Sequence, residues 1–192
     1  ADAALALVDA DFSATARVSS LTRTQKSLVA IARALAADCD YLVLDEPTAS
    51  LPADEVERLF SALRPLKAKG VGMIYVSHRL DEIFRIADRV AVMYLGRIVE
   101  EGPTEELFER PNHPYTVALL AEIPRLDTRR RQFAPVKGEI PSPLDPPSGC
   151  HFHPRCPHAT TRCAREAPVL RDIAPGRRAA ARSRKQSTAN RI

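Results

Sequence analysis

The sequence predicts an α/β fold with a parallel sheet. Three short apolar runs, at 41–45, 71–77 and 89–95, are too short for helices and are typical of strands covered on both faces. Segments with the 3.6-residue apolar spacing of amphipathic helices precede and separate these runs. Strands that alternate with helices favour βαβ units, in which neighbouring strands run parallel.

The other predicted elements follow in chain order. They are helices over 26–37, 53–69 and 79–87, a hairpin strand over 96–102, and two short helices within 104–123. Gly70 is the expected C-cap of the second helix, and Gly96 the turn of the hairpin. The sequence therefore predicts helices and strands over most of the first part of the chain.

Length and composition limit the classes of protein to consider. The 192 residues suffice for one domain with an appendage, and no apolar run approaches the roughly 18 residues of a membrane span. A basic signal-peptide region is absent from the sequence, so we expect a cytosolic location. The first residues carry no turn or cap signal, and we expect the sequence to start inside a larger domain.

Charge and proline content divide the chain. Residues 1–124 hold 13 Lys/Arg and 19 Asp/Glu, whereas residues 125–192 hold 15 and 5. Thirteen of the 16 prolines lie at or after Pro103. We expect a first domain over 1–110, an extension over 111–176 that includes a linker at 125–149, and a disordered basic tail over 177–192. The basic tail could contact RNA or an anionic membrane surface. No aromatic residues alternate with its arginines, however, so a solvated tail is expected rather than a nucleic-acid partner.

Two apolar strands end in polar residues. "YLVLDEPTAS" places Asp45 and Glu46 after the first strand, and Ser77 and His78 close the second. Parallel strands end at the same edge of a sheet, where α/β proteins bind ligands. An aspartate there can hold Mg²⁺ and a glutamate can polarise a water, the groups that phosphoryl transfer to water requires. The alternative is a turn and helix-cap pair without chemistry.

Three segments together resemble ATP-binding subunits of ABC transporters. "LVLDEPTASL" resembles their Walker B segment and D-loop, and "IYVSHRLDEI" their switch-histidine segment. "LTRTQKSLVAIARAL" resembles their signature motif and the helix after it. The order and spacing of these three segments match the family, and the resemblance covers about residues 15–175. The resemblance implies a P-loop NTPase-type parallel sheet, present here as a part that lacks the Walker A half.

The resemblance also implies roles for single residues. Asp45 would be the Mg²⁺-associated carboxylate, Glu46 the catalytic carboxylate that orients water, and His78 the γ-phosphate contact. The signature loop would reach ATP bound on a partner subunit, and its residues are Leu21, Thr22, Arg23, Thr24 and Gln25. ATP and Mg²⁺ are the implied cofactors.

Two of the departures from the family pattern concern the phosphate loop and the signature. It contains no G-x-x-x-x-G-K-[ST] phosphate loop, so it resembles the C-terminal part of a nucleotide-binding domain. Arg23 and Thr24 stand where the signature usually has two glycines, which allow close backbone approach. A non-catalytic binding module that no longer hydrolyses ATP is therefore an alternative to an ATPase.

Two subfamilies are represented in the sequence. Residues 20–90 resemble sugar-importer ATPases, and residues 93–176 resemble the C-terminal extension of oligopeptide and dipeptide importer ATPases. Three alternative origins would explain this pattern: a natural recombinant, an assembly or gene-prediction artefact, or a divergent family member. The longer extension favours peptide import. The implied partners are a second nucleotide-binding subunit, transmembrane permease subunits and, indirectly, an extracytoplasmic substrate-binding protein, at the cytoplasmic face of the cell membrane.

Three cysteines form a separate candidate site. Cys150, Cys156 and Cys163 are close in sequence, with three histidines among them, a composition that suits Zn²⁺ or an iron–sulfur cluster. The peptide-importer extension implies a fourth cysteine, where this chain has Ala181. The alternative is a module without a metal. Cys39 is expected to be an ordinary buried cysteine, and His113 a turn or packing residue.

Overall fold

Two parallel strands joined by a helix form the centre of the first of two units. The computed structural model describes residues 1–36, 39–49, 51–122 and 138–181, and the units are Ala1–Ile86 and Ala87–Ile192. In the first unit β1 (Tyr41–Asp45) pairs in parallel with β2 (Gly72–Val76), and α3 (Ala53–Ala68) connects them. This βαβ arrangement confirms the predicted α/β fold with a parallel sheet.

The described residues of the first unit form three further α-helices: α1 (Asp2–Ala6), α2 (Arg23–Ala36) and α4 (Leu80–Ile86). Helix α3 fills the core because Leu59, Phe60 and Leu63 are fully buried on its inner face and recur at the 3.6-residue helical spacing. The helix ends at the predicted position, since Gly70 follows it with a φ of +87°.

The two-stranded sheet buries only one of its faces. Leu42 and Leu44 of β1 belong to the same core cluster as the α3 leucines. Side chains alternate along a strand, so the next residues face the other way, and Tyr41 is 77% and Val43 63% exposed. On β2, Ile74 and Val76 are also exposed. The prediction that these strands are covered on both faces is therefore wrong for the described residues.

The second unit contains an antiparallel four-stranded sheet in the order β3-β4-β6-β5. The strands and α-helices described in this unit are β3 (Arg89–Tyr94), β4 (Arg97–Pro103), α5 (Thr104–Glu109), α6 (Pro114–Ala121), β5 (Arg171–Ala174) and β6 (Arg177–Ala179). The predicted hairpin at Gly96 is present. The third predicted strand thus pairs with its own hairpin partner in this sheet.

The start of the predicted disordered tail is ordered. Residues 177–179 form β6, which pairs with β4 at Glu100 and Glu101, so this part of the prediction is wrong. Arginine content suggested a solvated tail, but the Arg177 side chain is buried against an acidic partner. Residues 182–192 of the tail and 123–137 of the extension, including most of the expected linker, lie outside the described residues.

A buried carboxylate holds several segments of the second unit together. Glu100 is fully buried and accepts hydrogen bonds from the backbone N–H groups of Asn112 and His113, at 2.7 and 2.8 Å. Nη2 of Arg177 lies 3.4 Å from Oε1 of Glu100 and donates to the Arg110 carbonyl at 2.6 Å. One carboxylate therefore fixes β4, β6 and the turn before α6.

His113 lies in that turn and caps α6. Its Nδ1 accepts a hydrogen bond from the backbone N–H of Tyr115 at 3.1 Å, and its ring packs 5.9 Å from that of Phe152. Burial lowers the pKa of His113 from its ordinary 6.5 to about 4 because the charged imidazolium loses its hydration. The structure thus shows a turn and packing residue, as predicted.

Replacing Arg177 with Met should destabilise the second unit by about 3–5 kcal/mol, because Glu100 would remain buried without its cation. Native-state hydrogen exchange at the β4 and β6 amides measures this local free energy of opening. The matched control is Arg178→Met, on the same strand. Arg178 is half-exposed and pairs with Glu101, and an exposed pair contributes less than about 1 kcal/mol. Equal effects of the two substitutions would contradict the role assigned to Glu100.

The second unit should lose stability as the pH falls from 6.5 towards 4. The neutral form of His113 is favoured in the folded state and the unfolded state takes up a proton more readily, so the free energy of unfolding decreases through this range, by roughly 3 kcal/mol. Urea denaturation followed by amide NMR signals of β4 measures it. His113→Asn keeps a capping acceptor and should flatten this part of the pH profile; an unchanged profile would show that other groups cause the loss.

Candidate functional site

The ends of β1 and β2 meet at one edge of the parallel sheet. Asp45 is paired with Val76 as the last residues of the two strands. The backbone N–H of Glu46, the next residue along, donates to the Val76 carbonyl at 2.9 Å. The loops that carry the sequence-predicted carboxylates and histidine therefore begin side by side.

Glu46 has an uncommon backbone conformation. Its φ is +45°, in the left-handed region that residues with a side chain rarely adopt. Such conformations persist only where the surrounding structure fixes them, and they are frequent at functional sites. The turn directs the Glu46 side chain towards the loop after β2.

Glu46 and His78 form a pair across this edge. Nδ1 of His78 lies 2.9 Å from Oε1 of Glu46. The His78 side chain is 74% exposed and that of Glu46 35%, so the pair is open to ligands from one side. The other oxygen of Glu46, Oε2, is buried, and no described residue donates a hydrogen bond to it. One carboxylate oxygen is thus held by the imidazole and the other has spare acceptor capacity.

Asp45 is exposed at the last position of β1. Its carboxylate adjoins the Glu46–His78 pair along the chain and supplies the hard oxygen ligand that Mg²⁺ prefers. Within the described ranges, no three His, Cys, Asp or Glu side chains are grouped so that they could hold a metal ion by themselves.

The signature segment forms the capped start of α2. Oγ1 of Thr22 accepts from the backbone N–H of Gln25 at 3.2 Å, and Oε1 of Gln25 accepts from the Thr22 N–H at 3.0 Å. This reciprocal pair is a capping box. It starts the helix at Arg23, three residues before the predicted start. The T-x-x-Q spacing was the signal that sequence reasoning missed.

The remaining signature residues differ in their access to solvent. Leu21 and Thr24 are buried, and the Thr24 hydroxyl donates to Glu55 of α3. Gln25 also donates to Asp11, whose pKa the Arg58 hydrogen bond lowers. Thr22 and Arg23 are exposed. The side-chain contacts described for this segment run to neighbouring loops and α3, rather than to Asp45, Glu46 or His78.

A buried polar cluster adjoins the Glu46–His78 pair and was not predicted. Thr48, in the loop after β1, and Glu82, in the first turn of α4, are both fully buried. Their side chains hydrogen-bond, and Tyr75 of β2 donates to the same carboxylate. The only sequence signals were a polar residue in the loop after β1 and an acidic residue in the first turn of α4.

The cysteine module is held by protein hydrogen bonds. The backbone N–H of Cys150 donates to the Cys163 carbonyl at 2.8 Å, and both Cys150 and Cys156 pack against the cluster around Phe152. The Cys163 sulfur lies 3.3 Å from Oγ1 of Thr160. The arrangement across the described residues does not fit the predicted iron–sulfur or zinc site, and Ala181 supplies no ligand. We therefore propose no metal here.

One family model and several curated relatives match this chain. A family described as "Oligopeptide/dipeptide transporter, C-terminal region" matches residues 99–163. A probable peptide ABC transporter ATP-binding protein of Sinorhizobium fredii is 43% identical over 176 residues, which is 91% of this chain and 50% of the relative. That match spans both the sugar-importer-like and the peptide-importer-like segments.

Other curated relatives have similar names. A putative peptide import ATP-binding protein of Brucella ovis is 44% identical over 79% of this chain and 49% of its own length. A dipeptide transport ATP-binding protein of Haemophilus influenzae is 42% identical over 80% of this chain and 47% of its own. The chain thus spans about half the length of the curated relatives it matches.

Solved structures share the fold. A nucleotide-free ATP-binding cassette from an ABC transporter aligns with a TM-score of 0.56 and 28% identity, covering 62% of this chain and 47% of that one. The ADP conformation of another ATP-binding cassette aligns with a TM-score of 0.54 and 26% identity, covering 63% and 48%. The predicted fold class is confirmed.

Removing the capping hydroxyl should loosen the start of α2. Thr22→Ala leaves the Gln25 N–H without its acceptor and should cost about 1 kcal/mol of local stability. Hydrogen exchange of the amides in the first turns of α2 measures it. Thr22→Ser retains the hydroxyl and should leave exchange nearly unchanged. Faster exchange of the same size in both variants would show that the capping box does not hold this segment.

Proposed function

We propose that this chain, whose sequence and fold correspond to the C-terminal part of ABC-transporter ATP-binding subunits, carries the hydrolytic edge of an ATPase that powers peptide import. The observation that carries the proposal is the Glu46–His78 pair beside Asp45 at the common end of β1 and β2. A carboxylate and a histidine 2.9 Å apart at this edge of a parallel sheet are placed where such sheets bind ligands.

Asp45 is the proposed magnesium contact. Its exposed carboxylate offers an oxygen ligand on the side of the sheet that phosphates would approach. When bound, Mg²⁺ would neutralise phosphate charge that develops during transfer to water. The role of Asp45 is to hold the ion, while Glu46, next in sequence, is left for a different task.

Glu46 is the proposed water-orienting residue. One of its oxygens faces His78 and its second oxygen is a buried acceptor without a described donor. A carboxylate held in this way can accept a hydrogen bond from a water molecule and so direct a lone pair of that water towards phosphorus. The left-handed backbone at Glu46 fixes the direction of the side chain.

His78 is the proposed γ-phosphate contact. If Nδ1 donates to Glu46, the neutral ring has only an acceptor at Nε2, whereas the imidazolium donates from both nitrogens. A phosphate accepts hydrogen bonds, so the charged ring suits simultaneous contact with Glu46 and phosphate. His78 would then connect arrival of the γ-phosphate with the orientation of Glu46.

We propose that the exposed apolar face of β1 and β2 packs against the part of the subunit that carries the phosphate loop, called here the phosphate-loop part. Tyr41, Val43, Ile74 and Val76 are exposed together on one face, which a stable ATPase would be expected to cover. The sequence contains no phosphate loop, and the curated relatives are about twice as long as the matched region. We infer that ATP binding requires that further part.

The signature segment is proposed to face a second ATP-binding subunit. Only Thr22 and Arg23 are well exposed for such a contact, since Leu21 and Thr24 are buried. Thr24 hydrogen-bonds to Glu55 rather than leaving the open backbone that glycine would give. The contact with the partner's ATP would therefore depend on the start of α2 and the Arg23 side chain.

Peptide is the proposed substrate class, with sugar as the weaker alternative. A relative named for peptide transport matches across both parts of the chain, and the matched family carries the same substrate class in its description. The proposed partners are a second ATP-binding subunit, permease subunits and, through them, an extracytoplasmic substrate-binding protein. The proposed location, which follows from these partners, is the cytoplasmic face of the cell membrane. None of the described helices is both long and apolar enough to cross a membrane.

A second candidate is a binding module that no longer hydrolyses ATP. The observation that favours it is the buried Thr24–Glu55 contact in the signature segment. The Glu46–His78 pair favours the ATPase, because a site without turnover has no need of it. The two candidates differ in whether the chain supports hydrolysis when the phosphate-loop part is supplied.

Glu46→Gln should abolish most hydrolysis and leave binding largely intact. Loss of the carboxylate should lower the rate about 100-fold or more, since an amide cannot act as the base. The measurement is phosphate release by this chain combined with the phosphate-loop part of a homologous peptide-importer subunit, with calorimetry for Mg·ATP affinity.

The control for this measurement is Glu57→Gln. Glu57 lies half-exposed on α3 and pairs with Arg85, away from the strand ends, so its substitution should leave the rate unchanged. Hydrolysis that Glu46→Gln does not reduce would refute the role of Glu46. ATP binding with no hydrolysis in the unsubstituted chain would favour the binding module.

A further inference from the structure

A charged side chain is fully buried next to the Glu46–His78 pair. Glu82 has no exposed surface, and its Oε2 accepts hydrogen bonds from Oγ1 of Thr48 at 2.5 Å and from the hydroxyl of Tyr75 at 2.9 Å. Nη1 of Arg79 lies 2.8 Å from the other oxygen, Oε1. Two hydroxyls and one guanidinium thus surround a single carboxylate.

Burial of the Glu82 carboxylate costs hydration free energy, which the three contacts offset. A buried charge needs partners to offset the loss of hydration, and replacement by an apolar side chain is often neutral or stabilising. Burial, the largest cause, and the Glu82 carboxylate raise the pKa of Tyr75 above its ordinary value, so the phenol stays protonated and can donate. The Tyr75 hydroxyl is therefore available as a donor to Glu82 at neutral pH.

Each partner of Glu82 is linked to the candidate site through a short stretch of chain. Thr48 lies two residues after Glu46. Tyr75 lies opposite Leu44, the residue before Asp45, in the strand register. Arg79 directly follows His78. The carboxylate therefore contacts both loops whose side chains meet in the Glu46–His78 pair.

We propose that Glu82 is a positioning residue that sets the separation between Glu46 and His78. Its carboxylate ties the loop after β1, through Thr48, to the loop after β2, through Arg79. The proposal rests on the proposed function for its catalytic meaning, but the positioning itself concerns only the 2.9 Å contact between two side chains.

The test is a double-substitution cycle read at the His78 ring. Long-range ¹H–¹⁵N NMR at fixed pH reports the imidazole signals of the full chain. In the otherwise unsubstituted protein, Glu46→Gln should move the His78 ring signals, because the imidazole loses its negatively charged partner. In a Thr48→Val or Glu82→Gln background, the same substitution should move them less than half as far.

Controls separate positioning from loss of stability. Thr48→Ser keeps the hydroxyl and should restore the full response, and Glu57→Gln, on the surface of α3, should not alter it. Thr48→Val decides the question if Glu82→Gln does not fold. A full response of His78 to Glu46→Gln in the folded Thr48→Val protein would overturn the proposal.

Kinetic measurements test separately whether the positioning by Glu82 affects ATP hydrolysis. With the phosphate-loop part supplied, Glu82→Gln should lower kcat about 10-fold and leave KM for Mg·ATP within twofold, since ground-state binding does not use Glu82. An unchanged kcat together with a reduced NMR response would refute the effect of Glu82 on hydrolysis but not its positioning of the Glu46–His78 pair. Failure of Glu46→Gln to affect hydrolysis would refute the proposed function, and the ring signals would still decide whether Glu82 positions the pair.

Discussion

The parallel pairing of β1 with β2 is the constraint on which the candidate site depends. Parallel strands end at the same edge, so residues 32 positions apart in the chain, Glu46 and His78, meet in one contact. The α3 helix makes this pairing stable because it connects the strands and fills the core below them with Leu59, Phe60 and Leu63. The Glu46–His78 contact is thus a consequence of strand direction. Its chemistry follows from the carboxylate after β1 and the imidazole after β2.

Buried carboxylates give both units their loop geometry. In the first unit Glu82 joins the loops after β1 and β2 through hydroxyl donors and Arg79. In the second unit Glu100 joins β4, β6 and the turn before α6 through two backbone N–H groups and Arg177. Backbone and hydroxyl donors are directional, so each carboxylate fixes segments that apolar packing alone would leave free to shift. The same chemistry supports the proposed site in one unit and the family-matched extension in the other.

The sequence predicted what depends on local pattern and missed what depends on distant contacts. Apolar runs and helical spacing predicted the βαβ unit, and strand ends predicted that Asp45, Glu46 and His78 share an edge. The one-sided burial of β1 was not predicted, because an apolar run does not say how many faces a small sheet covers. The strand at 177–179 was missed because its arginine-rich composition is that of a solvated segment, and its partner Glu100 is 77 residues away. The contact between Thr48 and Glu82 likewise has no local signal.

The central claim is that the common end of β1 and β2 is the phosphate-facing edge of an ATPase. The most direct measurement is an NMR titration with Mg·ATP of the isotope-labelled chain, combined with the phosphate-loop part of a homologous subunit. The account predicts saturable shifts at the amides of Asp45 and Glu46 and at the His78 ring, with smaller shifts on the exposed outer face of α3. Saturable binding that leaves these three residues unperturbed would contradict it.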